Sequence, residues 1–281
     1  MNTRQNPNWC PGCGDYGIQA AVKGAMTELG LGSAGTVISS GIGCGSKIPH
    51  WVKCYGFEGL HGRPLPVATG IKLANPELTV FAIGGDGDGY GLGMGHFIHT
   101  MRRNLDMTYI VQDNQIYGLT TGQTSPTSNR GTKTKSTPAG AIELPVNPIE
   151  LAIGAGATYV ARGYAGDLKH LTSLIVGAVK HKGFSLIDVF QPCVTFNKIN
   201  TYDFFNKRVY RLEDEKGFEP GSGVCDAIDR SREWGDKIPI GLFYRDERPT
   251  YEEQEIGLRE GRPVDVPTEP VNVEEMVSSF M

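Results

Sequence analysis

The chain has 281 residues, of which 39% are hydrophobic and 21% charged, and its formal net charge is −4. This composition is typical of a globular protein with one large or two small domains. Without a basic excess, the chain is a poor candidate for binding nucleic acid or an anionic membrane. Its N-terminal residues lack the apolar run of a signal peptide, and no stretch approaches the roughly 18 apolar residues of a membrane helix. We therefore expect a cytoplasmic protein whose partners are small molecules and other proteins.

Segments with apolar residues at helical spacing alternate with short apolar runs rich in β-branched residues. The predicted helices cover residues 17–30, 66–76, 96–104, 147–156 and 167–183. The predicted strands cover residues 35–41, 78–84, 107–114, 158–163 and 184–193. This alternation predicts an α/β fold, in which a parallel sheet carries helices on both faces.

The pattern changes beyond about Asn197, where the sequence becomes polar, acidic and rich in turn residues. We therefore expect residues 1–200 to form the main domain. Residues 201–281 are expected to form a C-terminal extension that packs on a partner, rather than a second domain.

Polar or sulfur-bearing side chains follow several predicted strands at their C-terminal ends. They are Cys44, Lys47, Asp86, Asn114 and Cys193. In a parallel α/β sheet, ligands bind outside the C-terminal ends of the strands. The sequence therefore predicts a functional site at this edge of the sheet.

Asp86 and Asn114, 28 residues apart, end two of these strands. They supply a carboxylate and an amide oxygen, which suit Mg²⁺ because this ion takes few protein oxygens and completes its coordination with phosphates and water. Gly85 and Gly87 let the backbone approach a diphosphate and donate N–H groups to it. Asp88 is a spare carboxylate that caps or solvates the loop. The alternative is that the whole GDGDG stretch is a plain turn.

Lys47, His61 and the hydroxyl-rich residues 120–128 are further candidates near this edge. A cation close to the reacting carbon would stabilise a substrate carboxylate or a developing negative charge. The hydroxyl groups of residues 120–128 suit contact with phosphate or substrate. The alternatives are a solvated lysine and a plain polar turn.

In a reducing compartment, six cysteines are more consistent with ligands, catalytic groups or core residues than with disulfides. Cys10 and Cys13 form a Cys-x-x-Cys pair, which is compatible with a redox dithiol, half of a zinc site or two ligands of an iron-sulfur cluster. A redox dithiol normally follows a strand, and only polar residues precede Trp9. Structural zinc usually has a second close pair, whereas the other cysteines stand alone. Of these, Cys54 and Cys225 are expected to be small buried hydrophobic residues.

Gly-Asp-Gly followed at this distance by Asn is the signature of thiamine diphosphate enzymes. Over about residues 8–200 the chain resembles the beta subunit of a 2-oxoacid:ferredoxin oxidoreductase. The stretches that carry the resemblance are WCPGCGDYG, SSGIGCGSKIPHW, LHGRPLPVATGIKLANPELTVFAIGGDGDGYGLGMGHFIHTMRRN and MTYIVQDNQIYGLTTGQTSPTS. The resemblance implies the thiamine diphosphate-binding fold, with the diphosphate end of the cofactor and one 4Fe-4S cluster bound to this chain.

The resemblance also implies roles for particular residues. Mg²⁺ would be held by Asp86, Asn114 and the backbone carbonyl of Ile116. The cluster would be held by Cys10, Cys13, Cys44 and Cys193, and Cys54 in place of Cys44 remains an open alternative. The residues implied to contact the cofactor are Gly43, Cys44, Gly45, Gly85, Asp86, Gly87, Asp88, Asn114, Ile116, Gly118, Leu119 and Thr120.

The implied reaction is the coenzyme A-dependent oxidative decarboxylation of a 2-oxoacid to acyl-CoA and CO₂, with electrons passed through the cluster to ferredoxin. By resemblance it also runs in reverse, as a reductive carboxylation. The opening WCPGCG resembles 2-oxoglutarate or broad-specificity members more than pyruvate-specific ones. An alpha subunit is implied as the partner that completes the active site. Two other hypotheses are a thiamine diphosphate enzyme without redox chemistry and a non-catalytic electron-transfer module.

Overall fold

A mostly parallel sheet of eight strands organises the structure, a computed structural model that describes residues 1–221, 223–259, 261–267 and 272–280. The strands are β1 (Thr36–Ser40), β2 (Tyr55–Glu58), β3 (Thr79–Gly85), β4 (Met107–Asp113), β5 (Tyr159–Tyr164), β6 (Phe184–Phe190), β7 (Val209–Arg211) and β8 (Ile238–Arg245). Their order across the sheet is β2-β1-β3-β4-β6-β5-β8-β7. Within the described residues, neighbouring strands are parallel except β5 and β8, which are antiparallel.

Helices connect the strands. They are α1 (Asp15–Glu28), α2 (Pro64–Ala74), α3 (Met94–Arg103), α4 (Pro148–Gly154), α5 (Leu168–Lys180), α6 (Tyr202–Asn206), α7 (Val224–Ser231), α8 (Tyr251–Gln254), α9 (Ile256–Arg259) and α10 (Val273–Ser278). Short 3₁₀ helices cover Gly45–Trp51, Leu212–Asp214 and Pro263–Asp265, and Gly87–Leu92 forms a π-helix. In the described parts of the chain, every helix is too short or too polar to cross a bilayer.

The helices cover both faces of the sheet, because successive residues of a strand point to opposite sides. On one face α1 packs against α5, and Phe81 and Ile83 of β3 join their hydrophobic core. On the other face, Val80 and Ala82 of the same strand are buried with residues of α2, α3 and α4. The prediction of an α/β fold with helices on both faces is confirmed.

The helices and strands predicted between residues 17 and 193 all form, with shifted ends. Helix α1 begins at Asp15, before the predicted start at Gly17. Strand β6 ends at Phe190, short of the predicted end at Cys193. Pro192 explains the early end, because it has no N–H group to donate to a neighbouring strand. Cys193 therefore lies in the loop after β6.

The first half of the expected C-terminal extension belongs to the sheet. Strand β8 pairs with β5 and β7, and α7 packs on α4. No strand is predicted after residue 193, so the sequence pattern missed this part of the sheet. Pro239 and Gly241 interrupt the apolar run of β8 and weaken its strand signal. The packing of the extension on a partner stays a prediction.

The glycine-rich stretch after β3 is a helix rather than the predicted loop. The π-helix Gly87–Leu92 leads directly into α3. A Cβ atom at Gly87 would lie 2.1 Å from the ring of Tyr117, so glycine is needed for this close approach. The glycines of this stretch, which indicate a loop in the sequence, therefore reflect tight packing around the site.

Asn104 joins α3 to the C-terminal segment. It ends α3 in the left-handed conformation, with a φ of +55°, and its side chain is buried. Its Oδ1 accepts hydrogen bonds from the Thr158 hydroxyl (2.7 Å) and the Phe184 N–H (3.0 Å). Its Nδ2 donates to the carbonyl oxygens of Arg248 (3.3 Å) and Pro249 (3.2 Å).

We expect Asn104→Ala to lower the free energy of unfolding by about 2–4 kcal/mol, because it removes several buried hydrogen bonds and strains a left-handed residue. Urea denaturation of the purified protein measures this loss. Asn75→Ala, at the C-terminal end of α2, is the control, because the Asn75 side chain makes an exposed bond to the Glu77 N–H. Equal, small losses for both variants would contradict the role of Asn104.

Candidate active site

Two neighbouring cavities open at the C-terminal edge of the sheet. The first, called here the cofactor cavity, is lined by all the residues implied to contact the cofactor, together with Ile42, His61 and Tyr117. The second, called here the cysteine cavity, has a volume of about 210 Å³. Its lining includes Cys10, Cys13, Cys44, Cys193, Asp15, Lys47 and Gln191. The residues that line both cavities are Cys44, Asn114, Gly118 and Leu119. A shared wall therefore separates the two cavities.

Asp86 lies directly after β3 with a side chain that is almost fully buried. Its Oδ2 accepts hydrogen bonds from the hydroxyls of Ser125 and Thr127, the latter at 2.7 Å. Burial raises the pKa of Asp86 to about 6, and these two hydrogen bonds partly oppose the shift. The carboxylate is thus held in a fixed orientation, in a site where a bound cation would offset its desolvation.

A tight turn after β4 brings Asn114 and Ile116 to the cofactor cavity. Gln115, between them, adopts the left-handed conformation with a φ of +59°. The Ile116 N–H donates to Asn114 Oδ1 (3.1 Å), and Asn197 Nδ2 donates to the Asn114 carbonyl oxygen (3.0 Å). The three residues that the resemblance implies as magnesium ligands therefore line one cavity.

Asp88 holds the loops around the cofactor cavity together through hydrogen bonds. Its Oδ1 accepts hydrogen bonds from the backbone N–H groups of Ile42 (3.1 Å) and Gly62 (2.7 Å). A Cβ atom at Gly41 would lie 2.1 Å from Asp88 Oδ2, so glycine is needed beside this carboxylate. Of the two roles predicted for Asp88, capping the loop agrees with these contacts and solvation does not, because Asp88 is buried and joins three segments.

Behind Asp86 lies a buried network of carboxylates. Thr127 Oγ1 lies 2.7 Å from both Asp86 Oδ2 and Asp113 Oδ1, so its single proton bonds one of them at a time. Asp188 accepts a hydrogen bond from Arg162 Nε at 3.3 Å. Burial, and then the negative charges of Asp188 and Asp86, raise the pKa of Asp113 well above its usual range. A cation bound at Asp86 would therefore relieve the repulsion in this network.

Cysteines from three separate parts of the chain meet at the cysteine cavity. Cys10 and Cys13 precede α1, whereas the other two follow β1 and β6. A Cβ atom at Gly118 would lie 3.5 Å from Cys193 Sγ and 4.0 Å from Cys44 Sγ, so the backbone of Gly118 packs against both sulfurs. The indole N–H of Trp9 donates to the Cys44 carbonyl oxygen at 2.7 Å and holds the Cys-x-x-Cys segment against the loop after β1.

The thiols in this cavity have polar neighbours. Cys13 Sγ lies 3.3 Å from Asp15 Oδ2 and 3.1 Å from Gln191 Nε2. Burial, and then the charge of Asp15, raise the pKa of Cys13 far above its usual range. The same two causes raise the pKa of Cys44 to about 11, and Lys47 partly opposes them. Both thiols therefore need a strong positive charge nearby to be held as thiolates.

Cys54 and Cys225 lie outside the linings of both cavities. Cys54 is half-buried beside the core, and burial raises its pKa to about 11. Cys225 is exposed, because α7 turns Ala227 and Ser231 inward instead. The expectation of a buried hydrophobic residue is therefore wrong for Cys225.

Lys47 and His61 lie in the linings of different cavities. Lys47 is half-buried beside the cysteine cavity, and its Nζ donates to Asn8 Oδ1 at 3.4 Å. His61 is half-buried in the cofactor cavity, and its Nδ1 lies 2.9 Å from Asp88 Oδ1. A charged or hydrogen-bonding side chain is therefore present beside each cavity.

Sequence reasoning missed most groups that support the site residues. Residues 120–128 are predicted to contact phosphate or substrate, and Thr120 lines the cofactor cavity. Ser125 and Thr127 instead turn to Asp86, and the Ser128 hydroxyl donates to the Gln115 carbonyl oxygen at 2.6 Å. The positions of Asp15 and Gln191, each two residues from a cavity cysteine, are the only sequence signal for their contacts with Cys13.

Comparison with known proteins gives consistent matches. The family described as thiamine pyrophosphate enzyme, C-terminal TPP binding domain, matches residues 30–189. The family that describes the C terminal part of the pyruvate ferredoxin oxidoreductase beta subunit matches residues 193–260. The chain is 52% identical over 263 residues to the 2-oxoacid:ferredoxin oxidoreductase subunit beta of a Sulfolobus species, covering 90% of this chain and 86% of that relative. It is 42% identical over 208 residues to the 2-oxoglutarate synthase subunit KorB of Archaeoglobus fulgidus, covering 73% and 78% of the two chains.

Among solved structures, the chain is similar to the 2-oxoglutarate:ferredoxin oxidoreductase from Magnetococcus marinus with 2-oxoglutarate, coenzyme A and succinyl-CoA bound. The TM-score is 0.89 at 40% identity, and the match covers 100% of this chain and 94% of the other. These matches confirm the family inferred from the Gly-Asp-Gly and Cys-x-x-Cys stretches. The chain belongs to the thiamine diphosphate-binding beta subunits of the 2-oxoacid:ferredoxin oxidoreductases.

Proposed function

We propose that this chain is the beta subunit of an enzyme that converts 2-oxoglutarate and coenzyme A to succinyl-CoA and CO₂, with two electrons passed through a 4Fe-4S cluster to ferredoxin. The reaction also runs in reverse, as a reductive carboxylation. The observation that carries this proposal is the shared wall between the cofactor cavity and the cysteine cavity. Because one layer of residues separates them, electrons released in one cavity have a short path to the other.

The cofactor cavity fits thiamine diphosphate held through Mg²⁺. Asp86, Asn114 and the carbonyl of Ile116 would hold the ion, because one carboxylate and two neutral oxygens leave room for diphosphate and water. Bound thiamine diphosphate supplies the electron sink needed to cleave the bond between the carboxyl and keto carbons. The chain's own residues orient the diphosphate and exclude water around it.

Thr127 is expected to set the affinity for Mg²⁺ through Asp86. Thr127→Val removes a hydroxyl that is shared between Asp86 and Asp113, and loss of such outer partners weakens metal binding roughly 10–100-fold. Thr127→Ser keeps the hydroxyl and should bind Mg²⁺ within a few-fold of the native complex. Calorimetric titration of Mg²⁺ into complex saturated with thiamine diphosphate measures both. Equal affinities for the valine and serine variants would contradict this role.

The cysteine cavity fits a 4Fe-4S cluster held by Cys10, Cys13, Cys44 and Cys193. Among the described residues, no three His, Cys, Asp or Glu side chains are grouped tightly enough for a single metal ion. Cluster ligands bind different iron atoms and surround a larger volume, in keeping with about 210 Å³ here. Cluster iron would supply the positive charge that holds the buried thiols as thiolates.

We assign to Lys47 the role of binding the substrate carboxylate. We assign to His61 the role of forming a hydrogen bond to the reacting atoms. Lys47 is half-buried next to the shared wall, where its charge is screened less than on an open surface. His61 lines the cofactor cavity, and its Nδ1 lies 2.9 Å from the Asp88 carboxylate. The His61 assignment rests on its position in the lining of the cofactor cavity, whereas Lys47 lines the cysteine cavity and would reach the substrate carboxylate from the far side of the shared wall.

An alpha subunit and ferredoxin complete the proposed enzyme. Ile42 and Leu119 line the cofactor cavity, and they and nearby Leu92 are exposed although they are large and apolar. Such a cluster around a cofactor suits coverage by another subunit. None of the six cysteines, all within the described residues, forms a disulfide, which supports a reducing, cytoplasmic location.

The substrate is tested with the co-purified alpha–beta complex under anaerobic conditions. Ferredoxin reduction is followed with coenzyme A and either 2-oxoglutarate or pyruvate, and 2-oxoglutarate should give the higher kcat/KM. Pyruvate is the second candidate, because the matched C-terminal family carries pyruvate in its description. A higher kcat/KM for pyruvate would overturn the substrate proposal and keep the reaction class.

A further inference from the structure

Gln191 makes a specific contact with one of the cavity cysteines. It follows β6 and is 1% exposed. Its Nε2 lies 3.1 Å from Cys13 Sγ and 3.2 Å from the Pro192 carbonyl oxygen. The side chain therefore joins the loop that carries Cys193 to the loop that carries Cys13.

The orientation of this amide follows from its partners. A carbonyl oxygen only accepts hydrogen bonds, so the NH₂ end of Gln191 must face Pro192. The second N–H of the same nitrogen then points to Cys13 Sγ. A side-chain amide does not titrate, so this donor is present at every pH and in either redox state.

We propose that Gln191 raises the reduction potential of the cluster by donating this hydrogen bond to the Cys13 thiolate. The proposal rests on the proposed function, because it requires the cluster in the cysteine cavity. Reduction adds an electron that is shared with the cysteine sulfurs, so their negative charge grows. A donor at 3.1 Å stabilises the reduced cluster more than the oxidised one, particularly in a buried site. Gln191 is a positioning and tuning residue, since it acts through Cys13.

A carboxyl group on the opposite side of Cys13 makes the Gln191 donor more important. Asp15 Oδ2 lies 3.3 Å from the same sulfur, and its Oδ1 is buried without a hydrogen-bond partner among the described residues. Without Gln191, the thiolate would keep the carboxyl neighbour and lose its one uncharged side-chain donor seen in the described structure. The loss should therefore shift the cluster toward the oxidised form.

The test is Gln191→Met in the alpha–beta complex, which keeps the side-chain length and removes both donors. A redox titration of the variant is followed by the EPR signal of the reduced cluster. We expect the equilibrium constant for reduction to fall roughly tenfold, which lowers the reduction potential by about 59 mV for one electron. Gln19→Met is the matched control, because buried Gln19 donates to the Trp51 carbonyl oxygen (3.3 Å) and contacts no cavity cysteine in the described structure. Its potential should equal that of the native complex.

A second measurement uses the native complex. With the side-chain amide of glutamine selectively labelled with ¹⁵N, pulsed EPR of the reduced cluster should detect a ¹⁵N coupling that disappears in Gln191→Met. An unchanged potential in a variant with full iron content, or no ¹⁵N coupling in the native complex, would overturn this inference alone. Native complex without labile iron and sulfide would instead overturn the proposed function.

Discussion

We expect Asp86→Ala to lose Mg²⁺-dependent binding of thiamine diphosphate and to keep the cluster. The variant removes the carboxylate in the cofactor cavity that two hydroxyls hold in position. Loss of outer partners alone weakens metal sites roughly 10–100-fold, so we expect loss of the ligand itself to weaken cofactor binding by more than about 100-fold. Calorimetry with thiamine diphosphate and saturating Mg²⁺ measures the affinity, and iron analysis of the same sample reports the cluster.

Asp203→Asn serves as the control, because Asp203 is an exposed aspartate on α6 that pairs with Lys207. It should bind the cofactor as the native complex does. Cofactor affinity that is unchanged in Asp86→Ala would rule out Asp86 as the residue that holds the metal.

Cys193→Ser is the second change with a large expected effect, because it removes a sulfur from the cysteine cavity. Four thiolates hold a 4Fe-4S cluster, so the variant should lose the cluster or convert it, and iron should fall well below about four per chain. The protein should still bind thiamine diphosphate, because Cys193 does not line the cofactor cavity in the described structure. Iron and sulfide analysis with EPR of the reduced complex measures the effect.

Cys225→Ser is its matched control, since Cys225 is an exposed thiol on α7 away from both cavities. Full iron in Cys193→Ser together with loss of iron in Cys225→Ser would mean that the wrong fourth ligand has been chosen.

The edge of the sheet where the site lies could be predicted from the sequence. Asp86 and Asn114 follow strands rich in apolar and β-branched residues, and the C-terminal ends of parallel strands meet at one edge. The grouping of Cys44 and Cys193 with the Cys-x-x-Cys pair followed from the family resemblance, and spacing alone left the third ligand open.

The supporting contacts could not be predicted in this way. Thr127 meets Asp86 across 41 residues of chain, through loops with no repeating pattern. The sequence leaves open whether Asp88 caps or solvates its loop, and only the fold shows that Ile42 and Gly62 donate to it. Short-range patterns carry no information about such contacts, because loop packing determines them.

Strand β8 could not be predicted from the sequence for a different reason. Its apolar run contains Pro239 and Gly241, so local propensity favours a turn. Pairing with β5 and β7 nevertheless makes it a strand, and burial of Ile238, Ile240 and Phe243 stabilises it. Tertiary contacts override the local signal here.

The central claim is that chemistry in the cofactor cavity delivers electrons to a cluster in the adjoining cysteine cavity. The most direct test is an anaerobic visible spectrum of the oxidised alpha–beta complex, recorded before and after addition of 2-oxoglutarate and coenzyme A without ferredoxin. We predict bleaching of the iron-sulfur absorption in the native complex, because the cluster takes up the first of the two electrons that each 2-oxoglutarate releases, and no bleaching in Asp86→Ala. An unbleached spectrum with 2-oxoglutarate and with pyruvate, in native complex shown to contain iron and thiamine diphosphate, would contradict the account.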